Sequence, residues 1–118
     1  MNTRLNTFLI PCNCAVLMTL AGLSSATAAD AGRGGEIYAQ TCVACHGADG
    51  RGVLPGVPDF TSASGPLAKE DALLLRHITD GFQTPGSPMA MPPKGGNPDL
   101  TEEDVMSVLR YLREHYGT

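Results

Sequence analysis

Two cysteines and a histidine lie within five positions of one another in the segment TCVACHGADGRG, residues 41–52. Two thiols separated by two residues can form a dithiol redox centre, half of a zinc site or an anchor for haem. The order CxxCH, with His46 directly after Cys45, is the sequence signature of covalent haem attachment. We therefore predict that Cys42 and Cys45 form thioether bonds to one haem and that His46 ligates its iron.

The zinc and dithiol alternatives each lack a required part. A zinc site needs further ligands, but Cys12 and Cys14 lie in an N-terminal segment that we expect to be removed. His77 and His115 fall on predicted helices without metal-ligand spacing. A thioredoxin-like dithiol needs a βαβ context, which this sequence does not indicate. Haem attachment is therefore the favoured interpretation.

A second pattern, MAMPPKGG at residues 89–96, offers another ligand for the iron. Methionine thioethers are soft, neutral donors that raise the reduction potential of a haem iron. Pro92 confines Met91 to extended geometry, and the Pro and Gly residues that follow form a stiff loop able to turn back. We predict Met91 as the second axial ligand and Met89 as an ordinary packing residue.

The surroundings of the predicted ligands can also be assigned. A proximal histidine usually donates its other ring N–H to a carbonyl group. Pro58 lies in the loop after His46 and is followed by an aromatic residue, so we predict its carbonyl as the acceptor and Phe60 as a side chain that packs on the haem. His77 is expected to be solvated, which disfavours ligation of the iron by two histidines.

Residues 1–29 have the layout of a secretory signal peptide. Arg4 precedes the apolar run FLIPCNCAVLMTLAGL, and SSATAAD then places small residues before the first acidic one. The run is shorter than the roughly 20 apolar residues of a membrane span, and a lipoprotein signal fits its cysteines poorly. We predict cleavage after Ala28 or Ala29 and export, which in a bacterium means a periplasmic location.

The mature part, residues 30–118, is expected to form one domain, since no internal repeat is present. The chain has 8 Lys and Arg against 12 Asp and Glu, and loss of Arg4 would change the net charge from −4 to −5. This acidic balance argues against nucleic acid and anionic membranes as partners, and we expect no stable membrane insertion after signal cleavage. So small a domain would gain core volume from an internal apolar cofactor.

Apolar periodicity predicts three principal helices and no strand. The first lies in GRGGEIYAQTCVACH, residues 32–46, and runs into the cysteines, and the second begins near Leu67 and ends at Gly81. The third begins with a capping box formed by Thr101 and Asp104. Two long loops rich in Gly and Pro connect them, and such loops are unusual in a compact domain unless they wrap something. The sequence thus predicts an all-α domain.

The order of CVACHGADG, PDF, AMPPKGG and a final helix containing LRYL resembles the small monohaem class I c-type cytochromes of bacteria. The resemblance extends over residues 34–116. It implies the class I cytochrome c fold, all-α, with three principal helices plus two long loops wrapped around one covalently bound haem c. In that fold the first and last helices cross at Gly34, and Tyr38 packs near Val108 and Tyr111.

The resemblance also implies His46 and Met91 as the axial ligands of the iron and a role as a periplasmic one-electron carrier rather than an enzyme. Its partners would be redox proteins: a donor dehydrogenase or quinol-oxidising complex, and an acceptor oxidase or reductase. A dedicated cytochrome subunit docked to one periplasmic dehydrogenase or oxidase is the alternative. A peroxidase or gas sensor would instead need an open position on the iron. Lys69 and Lys94 are the only lysines, unlike the lysine-ringed mitochondrial type.

Overall fold

A computed structural model describes residues 25–117, so most of the predicted signal peptide lies outside the described residues. The helices are α1 (Ser25–Ile37), α2 (Val43–His46), α3 (Asp71–Asp80) and α4 (Glu102–Tyr116). A π-helical turn, Tyr38–Cys42, joins α1 to α2, and 3₁₀ segments occur at Pro66–Ala68 and Pro93–Gly96. Within residues 25–117 the only β-type pairing is one isolated bridge between Phe82 and Met91. The predicted all-α fold class is confirmed.

The helix ahead of the cysteines runs into them as predicted, but it differs in two details. It is already helical at Ser25, the first described residue, upstream of the predicted segment 32–46. It is also not regular throughout, because the π-helical turn places one extra residue in the helical register before Cys42. The periodicity of the apolar residues does not reveal this insertion. The turn is followed by α2, whose last residue is His46.

Gly34 is the point at which α1 and α4 approach each other most closely. A Cβ atom at this position would lie 2.8 Å from Tyr111 Cβ and would also collide with the Ser107 carbonyl. The Tyr38 ring packs 5.4 Å from the Tyr111 ring, and it belongs to the same buried cluster as Val108. The close helix crossing and the packing of Tyr38 are therefore confirmed.

The start of α4 has the predicted capping box. The Thr101 hydroxyl accepts a hydrogen bond from the Asp104 N–H at 3.1 Å, and the Asp104 carboxylate accepts one from the Thr101 N–H at 3.0 Å. Arg33 of α1 donates to the same carboxylate at 3.0 Å. These bonds hold the pKa of Asp104 below its usual value, with the hydrogen bonds from Thr101 as the largest cause. The capping box thus also ties α4 to α1.

The middle helix, α3, begins later than predicted, because the 3₁₀ segment containing Leu67 precedes it. It ends at Gly81, as predicted, where a φ of +82° suits glycine. Arg113 of α4 donates to the Asp71 carboxylate at 2.6 Å and to the Leu67 carbonyl, so α4 also anchors the start of α3. No helix among residues 25–117 combines the length and the apolar character needed to cross a membrane.

Candidate functional site

A cavity of about 390 Å³ opens between the helices and the two long loops. This volume lies in the range of cofactor pockets, about 300–1,000 Å³. One part of its wall contains Cys42, Cys45 and His46, and another part contains Met89 and Met91. Apolar side chains supply much of the remainder, among them Val57, Phe60, Leu74, Ile78, Val108 and Leu112. The fold therefore brings two segments that are far apart in the sequence to one cavity.

The two cysteines face this cavity as free, half-buried thiols. Cys42 ends the π-helical turn and Cys45 lies in α2. Burial, followed by the neighbouring Cys45, raises the pKa of the Cys42 thiol to about 11. A redox-active dithiol needs a lowered thiol pKa, because the thiolate is the reactive form. This environment disfavours the dithiol alternative.

His46 is a buried histidine without the contacts of an ordinary core residue. Only 9% of it is exposed, and its ring stacks on Phe60 with 4.5 Å between ring centroids and 12° between planes. Burial lowers the pKa of His46, which favours the neutral imidazole that binds metals. Its Nδ1 is buried and has no hydrogen-bond partner within residues 25–117. An unsatisfied buried nitrogen of this kind points to a ligand or cofactor at the imidazole.

The hydrogen bond from His46 to the Pro58 carbonyl stays a prediction, and Nδ1 of His46 has no hydrogen-bond partner among residues 25–117. Pro58 lies in the cavity wall, as do His46 and Phe60. Gly52 N–H donates to the His46 carbonyl at 2.9 Å, and Phe60 N–H donates to the Gly50 carbonyl at 2.8 Å. These bonds bring the Phe60 ring, and not a carbonyl group, against the imidazole.

Two tyrosine hydroxyls hold the backbone that follows His46, and the sequence interpretation missed both bonds. Tyr38 donates to the Gly47 carbonyl at 2.6 Å, and Tyr116 donates to the Ala48 carbonyl at 2.8 Å. Burial raises the pKa of Tyr38, so its hydroxyl stays a donor at neutral pH. The only sequence signal was that each tyrosine lies on a helix predicted to pack near the motif.

Met89 and Met91 both line the cavity, but the backbone holds them differently. Met91 is half-buried, and its N–H and carbonyl both bond to Phe82, at 2.8 Å and 3.0 Å. Met89 is 41% exposed, and its backbone bonds only locally, to the Ser87 hydroxyl at 2.9 Å and 3.2 Å. The Met91 sulfur thus belongs to a segment tied to the end of α3, whereas Met89 lies on an open turn.

The backbone after Met91 turns through three consecutive residues with positive φ: Lys94 at +52°, Gly95 at +64° and Gly96 at +88°. Among the described residues, Lys94 is the only non-glycine in this region. A Cβ atom on Gly95 would lie 2.9 Å from Thr41 Cγ2, so the turn closes against the residue that precedes Cys42. The predicted sharp turn after Pro92 is present.

The expectation that His77 is solvated is wrong. His77 is half-buried and lines the cavity, and its ring stacks on Phe82 at 3.8 Å between centroids and 11° between planes. His77 lies three residues after Leu74, which is buried, and residues three apart share a helix face. His115 is exposed in the last turn of α4 and stacks on Tyr111 at 5.0 Å.

The residues of the cavity fit a covalently attached haem. The cavity wall contains two free thiols, a buried neutral imidazole with an unsatisfied nitrogen and two thioether side chains. Around them the wall is mainly apolar, as a porphyrin requires. The zinc alternative needs three or more His, Cys, Asp or Glu side chains around one point, and residues 25–117 contain no such group.

Comparison with protein-family models gives one match, over residues 29–112, to the family described as cytochrome c oxidase, cbb3-type, subunit III. This range includes the CxxCH motif, both long loops and most of α4. Because the match covers more than half of the chain, it shows the family to which the chain belongs.

Several curated proteins are similar to the chain. Cytochrome c-554(548) of Halomonas halodenitrificans is 34% identical over 77 residues, which is 65% of this chain and 87% of that protein. Cytochrome c-555 of Prosthecochloris aestuarii is 32% identical over 88 residues, covering 70% and 85%. The cbb3-type cytochrome c oxidase subunit FixP of Bradyrhizobium sp. (strain ORS 278) is 36% identical over 64 residues, but these are only 22% of FixP.

Proposed function

The chain belongs to the c-type cytochrome family and binds haem c covalently, and on this premise we propose that it is a diffusible periplasmic carrier of single electrons. Electron transfer by haem follows from the family. The proposal of a His46 and Met91 ligand pair rests chiefly on one observation, the single cavity whose wall contains both residues. The small size of the c-554 and c-555 relatives, which the chain nearly spans, supports a free carrier.

Each site residue would have a separate task in holding the cofactor. Cys42 and Cys45 would form the two thioether bonds, and His46 would donate a ring nitrogen to the iron. Met91 would donate its thioether sulfur to the same iron. Bound in this way, the haem iron supplies one-electron chemistry by changing between the ferric and ferrous states. The neutral sulfur of Met91 and the apolar wall both favour the ferrous state and raise the reduction potential.

Rigidity around His46 supports the carrier role. The Phe60 ring and the tyrosine hydroxyl bonds to the Gly47 and Ala48 carbonyls restrict movement of the histidine and of the backbone after it. Ligands that are already held in place need little reorganisation when the charge of the iron changes. A carrier that must accept and release electrons quickly benefits from this property.

Export and partner choice are parts of the same proposal. The signal-peptide layout of residues 1–29 supports cleavage after Ala28 or Ala29 and a mature domain at 30–118. The partners would be redox proteins, with a dehydrogenase or quinol-oxidising complex as donor and an oxidase or reductase as acceptor. The acidic net charge favours partners that do not present strongly acidic contact surfaces.

A dedicated cytochrome subunit is the second candidate, and the similarity to FixP favours it. In that case the domain would remain docked to one oxidase or dehydrogenase. Affinity purification from the native host distinguishes the two candidates. A stoichiometric enzyme that stays bound in about 0.5 M salt, where exposed charges are strongly screened, would favour the subunit. Recovery of the domain alone would favour the carrier.

The test of the ligand assignment is the absorption spectrum of the mature protein expressed with haem-attachment machinery. We expect covalent haem in the wild type and none in a Cys42→Ala and Cys45→Ala double variant. The weak long-wavelength band of an iron–methionine bond should be present in the oxidised wild type, absent in Met91→Ala and retained in Met89→Ala.

Three outcomes would contradict this proposal. Loss of the band in Met89→Ala alone would transfer the ligand role to Met89. Absence of covalent haem from the wild type would overturn the whole assignment. Binding of carbon monoxide by the reduced native protein at neutral pH would favour a peroxidase or gas sensor, because that ligand needs an open or easily vacated iron position.

A further inference from the structure

Phe82 occupies an unexpected position for an aromatic side chain in so small a domain. It follows the end of α3, beyond Gly81, and 36% of it is exposed. Its backbone makes the pair of hydrogen bonds with Met91, at 2.8 Å and 3.0 Å. The chain is closely packed here, since a Cβ atom on Gly81 would lie 2.7 Å from the Met91 carbonyl oxygen. Movement of Phe82 therefore moves the backbone of Met91.

The Phe82 ring is itself held by α3 and by the segment before it. The ring of His77 stacks on it nearly parallel, at 3.8 Å. The ammonium group of Lys69 lies 5.7 Å from the centroid of the same ring. These two contacts restrain a ring that is partly exposed. All three residues also line the haem cavity.

We propose that Phe82 and His77 form a positioning pair for the Met91 ligand: the His77 ring holds the Phe82 ring, and the Phe82 backbone holds the Met91 backbone. The inference rests on the proposed ligation of iron by Met91. Neither residue touches the iron in this account. His77 acts as a stacking surface, and its imidazole nitrogens have no part in the role.

The proposal explains why the Met91 segment keeps its place without helical packing. Pro92 and Pro93 follow Met91 and have no N–H groups, so the two-residue bridge to Phe82 provides the regular backbone pairing at this point. A ring stack contributes more than its buried area alone, and this one connects the bridge to a helix. Loosening the stack should raise the fraction of molecules in which Met91 has left the iron.

The experiment measures how readily added imidazole displaces Met91 in the oxidised holoprotein, followed by loss of the long-wavelength iron–methionine band. Phe82→Leu and His77→Ala each remove the ring stack while leaving the backbone able to pair. We expect each to tighten apparent imidazole binding by about 2-fold to 10-fold, the range that loss of one aromatic stack produces. The reduction potential should fall in the same variants, because methionine ligation favours the ferrous iron.

Two controls separate positioning from a general effect on stability. His77→Phe keeps a flat ring at the position and should restore wild-type imidazole affinity to within about 2-fold. Leu54→Ala removes an apolar side chain that is also 36% exposed and lies outside the cavity wall, so it should leave imidazole binding unchanged. Urea unfolding of each variant reports the global stability separately.

The possible failures are distinguishable. A wild type that shows the iron–methionine band, with Phe82→Leu and His77→Ala binding imidazole as the wild type does, overturns the positioning pair alone. Failure of His77→Phe to rescue overturns the stacking role of His77. A wild type without the band overturns both the Met91 ligation and the inference. Altered imidazole binding in Leu54→Ala would show a general loosening and would also overturn the inference.

Discussion

The haem cavity is held by helix packing on one side and by a short loop on the other. On the His46 side, residues 38–52, the helix crossing at Gly34 and two tyrosine hydroxyls fix the backbone. On the Met91 side, residues 81–96, one pair of backbone hydrogen bonds and a left-handed turn do so. The His46 side should therefore open only when the whole domain unfolds, whereas the Met91 side can open locally.

This difference matters for the proposed role as a one-electron carrier. In the proposed carrier the thioether and histidine attachments would have to persist, because an exported protein cannot easily recover its cofactor. The proposed Met91 ligand would chiefly set the potential, and its bond would depend on a segment with few helical contacts. We expect changes on the His46 side to lower global stability, and changes on the Met91 side to alter ligand retention first.

The largest expected effect is that of Gly34→Ala, which would break the helix crossing on which the His46 side depends. The new Cβ would collide with the Ser107 carbonyl and lie 2.8 Å from Tyr111 Cβ, so α1 must move away from α4. We expect the free energy of unfolding of the holoprotein, measured in urea, to fall by about 3 kcal/mol. Gly32→Ala is the matched control, because no atom would lie within 4 Å of the added Cβ. We expect its free energy of unfolding to change by at most about 0.5 kcal/mol. Equal losses in the two variants would refute the assigned crossing.

The second prediction places the same substitution on the Met91 side. Gly81→Ala puts a Cβ on a residue with φ of +82° and 2.7 Å from the Met91 carbonyl oxygen. The strain should lower the free energy of unfolding by about 1–2 kcal/mol. In contrast to Gly34→Ala, the reduced protein should also bind carbon monoxide more readily, which difference spectra would detect. Carbon monoxide binding that rises as much in Gly34→Ala would erase the distinction between the two sides.

Tyr38→Phe should have a smaller effect and should affect only the His46 side. The change leaves the Gly47 carbonyl, which now accepts a hydrogen bond at 2.6 Å, without its partner. We expect a loss of about 1–2 kcal/mol in urea unfolding, with the iron–methionine band unchanged. Tyr116→Phe, which removes a half-buried bond to Ala48, should cost less. A weakened band in Tyr38→Phe would mean that the two sides are coupled more closely than proposed.

The smallest expected effect is a gain in stability from Lys94→Gly. Lys94 has a φ of +52°, a region that glycine occupies without steric cost. The free energy of unfolding should rise by at most about 1 kcal/mol, because relief of backbone strain is partly offset by the greater freedom of glycine in the unfolded chain. Lys94→Ala removes the same side chain but keeps the strain, so thermal melting of the two variants isolates the backbone effect. A gain in Lys94→Ala equal to that in Lys94→Gly would assign the effect to the lysine side chain.

Sequence reasoning succeeded where a short pattern carries its own physical requirement. The CxxCH motif, the capping box of Thr101 and Asp104 and the glycine at the end of α3 are local devices, and their residues interact with near neighbours. The turn after Pro92 is of the same kind, since Pro and Gly determine their own backbone angles. Such features do not depend on what else packs against them.

The errors arose where a local pattern was extended beyond its range. The second helix was predicted to begin near Leu67, but the 3₁₀ segment Pro66–Ala68 precedes α3, which begins at Asp71. His77 was assigned to solvent although it shares a face with Leu74. The assignment of the Pro58 carbonyl as a hydrogen-bond acceptor stays a prediction.

The sequence by itself determined the chemistry of this protein: the covalent haem motif, the candidate sulfur ligand and the helices that flank them. Residue types and spacings suffice for this, because bond formation and helix capping depend on a few adjacent groups. Only the tertiary structure decided which distant residues support the site. The Phe60 stack, the tyrosine bonds to Gly47 and Ala48 and the bridge from Phe82 to Met91 join segments whose meeting depends on how the whole chain packs.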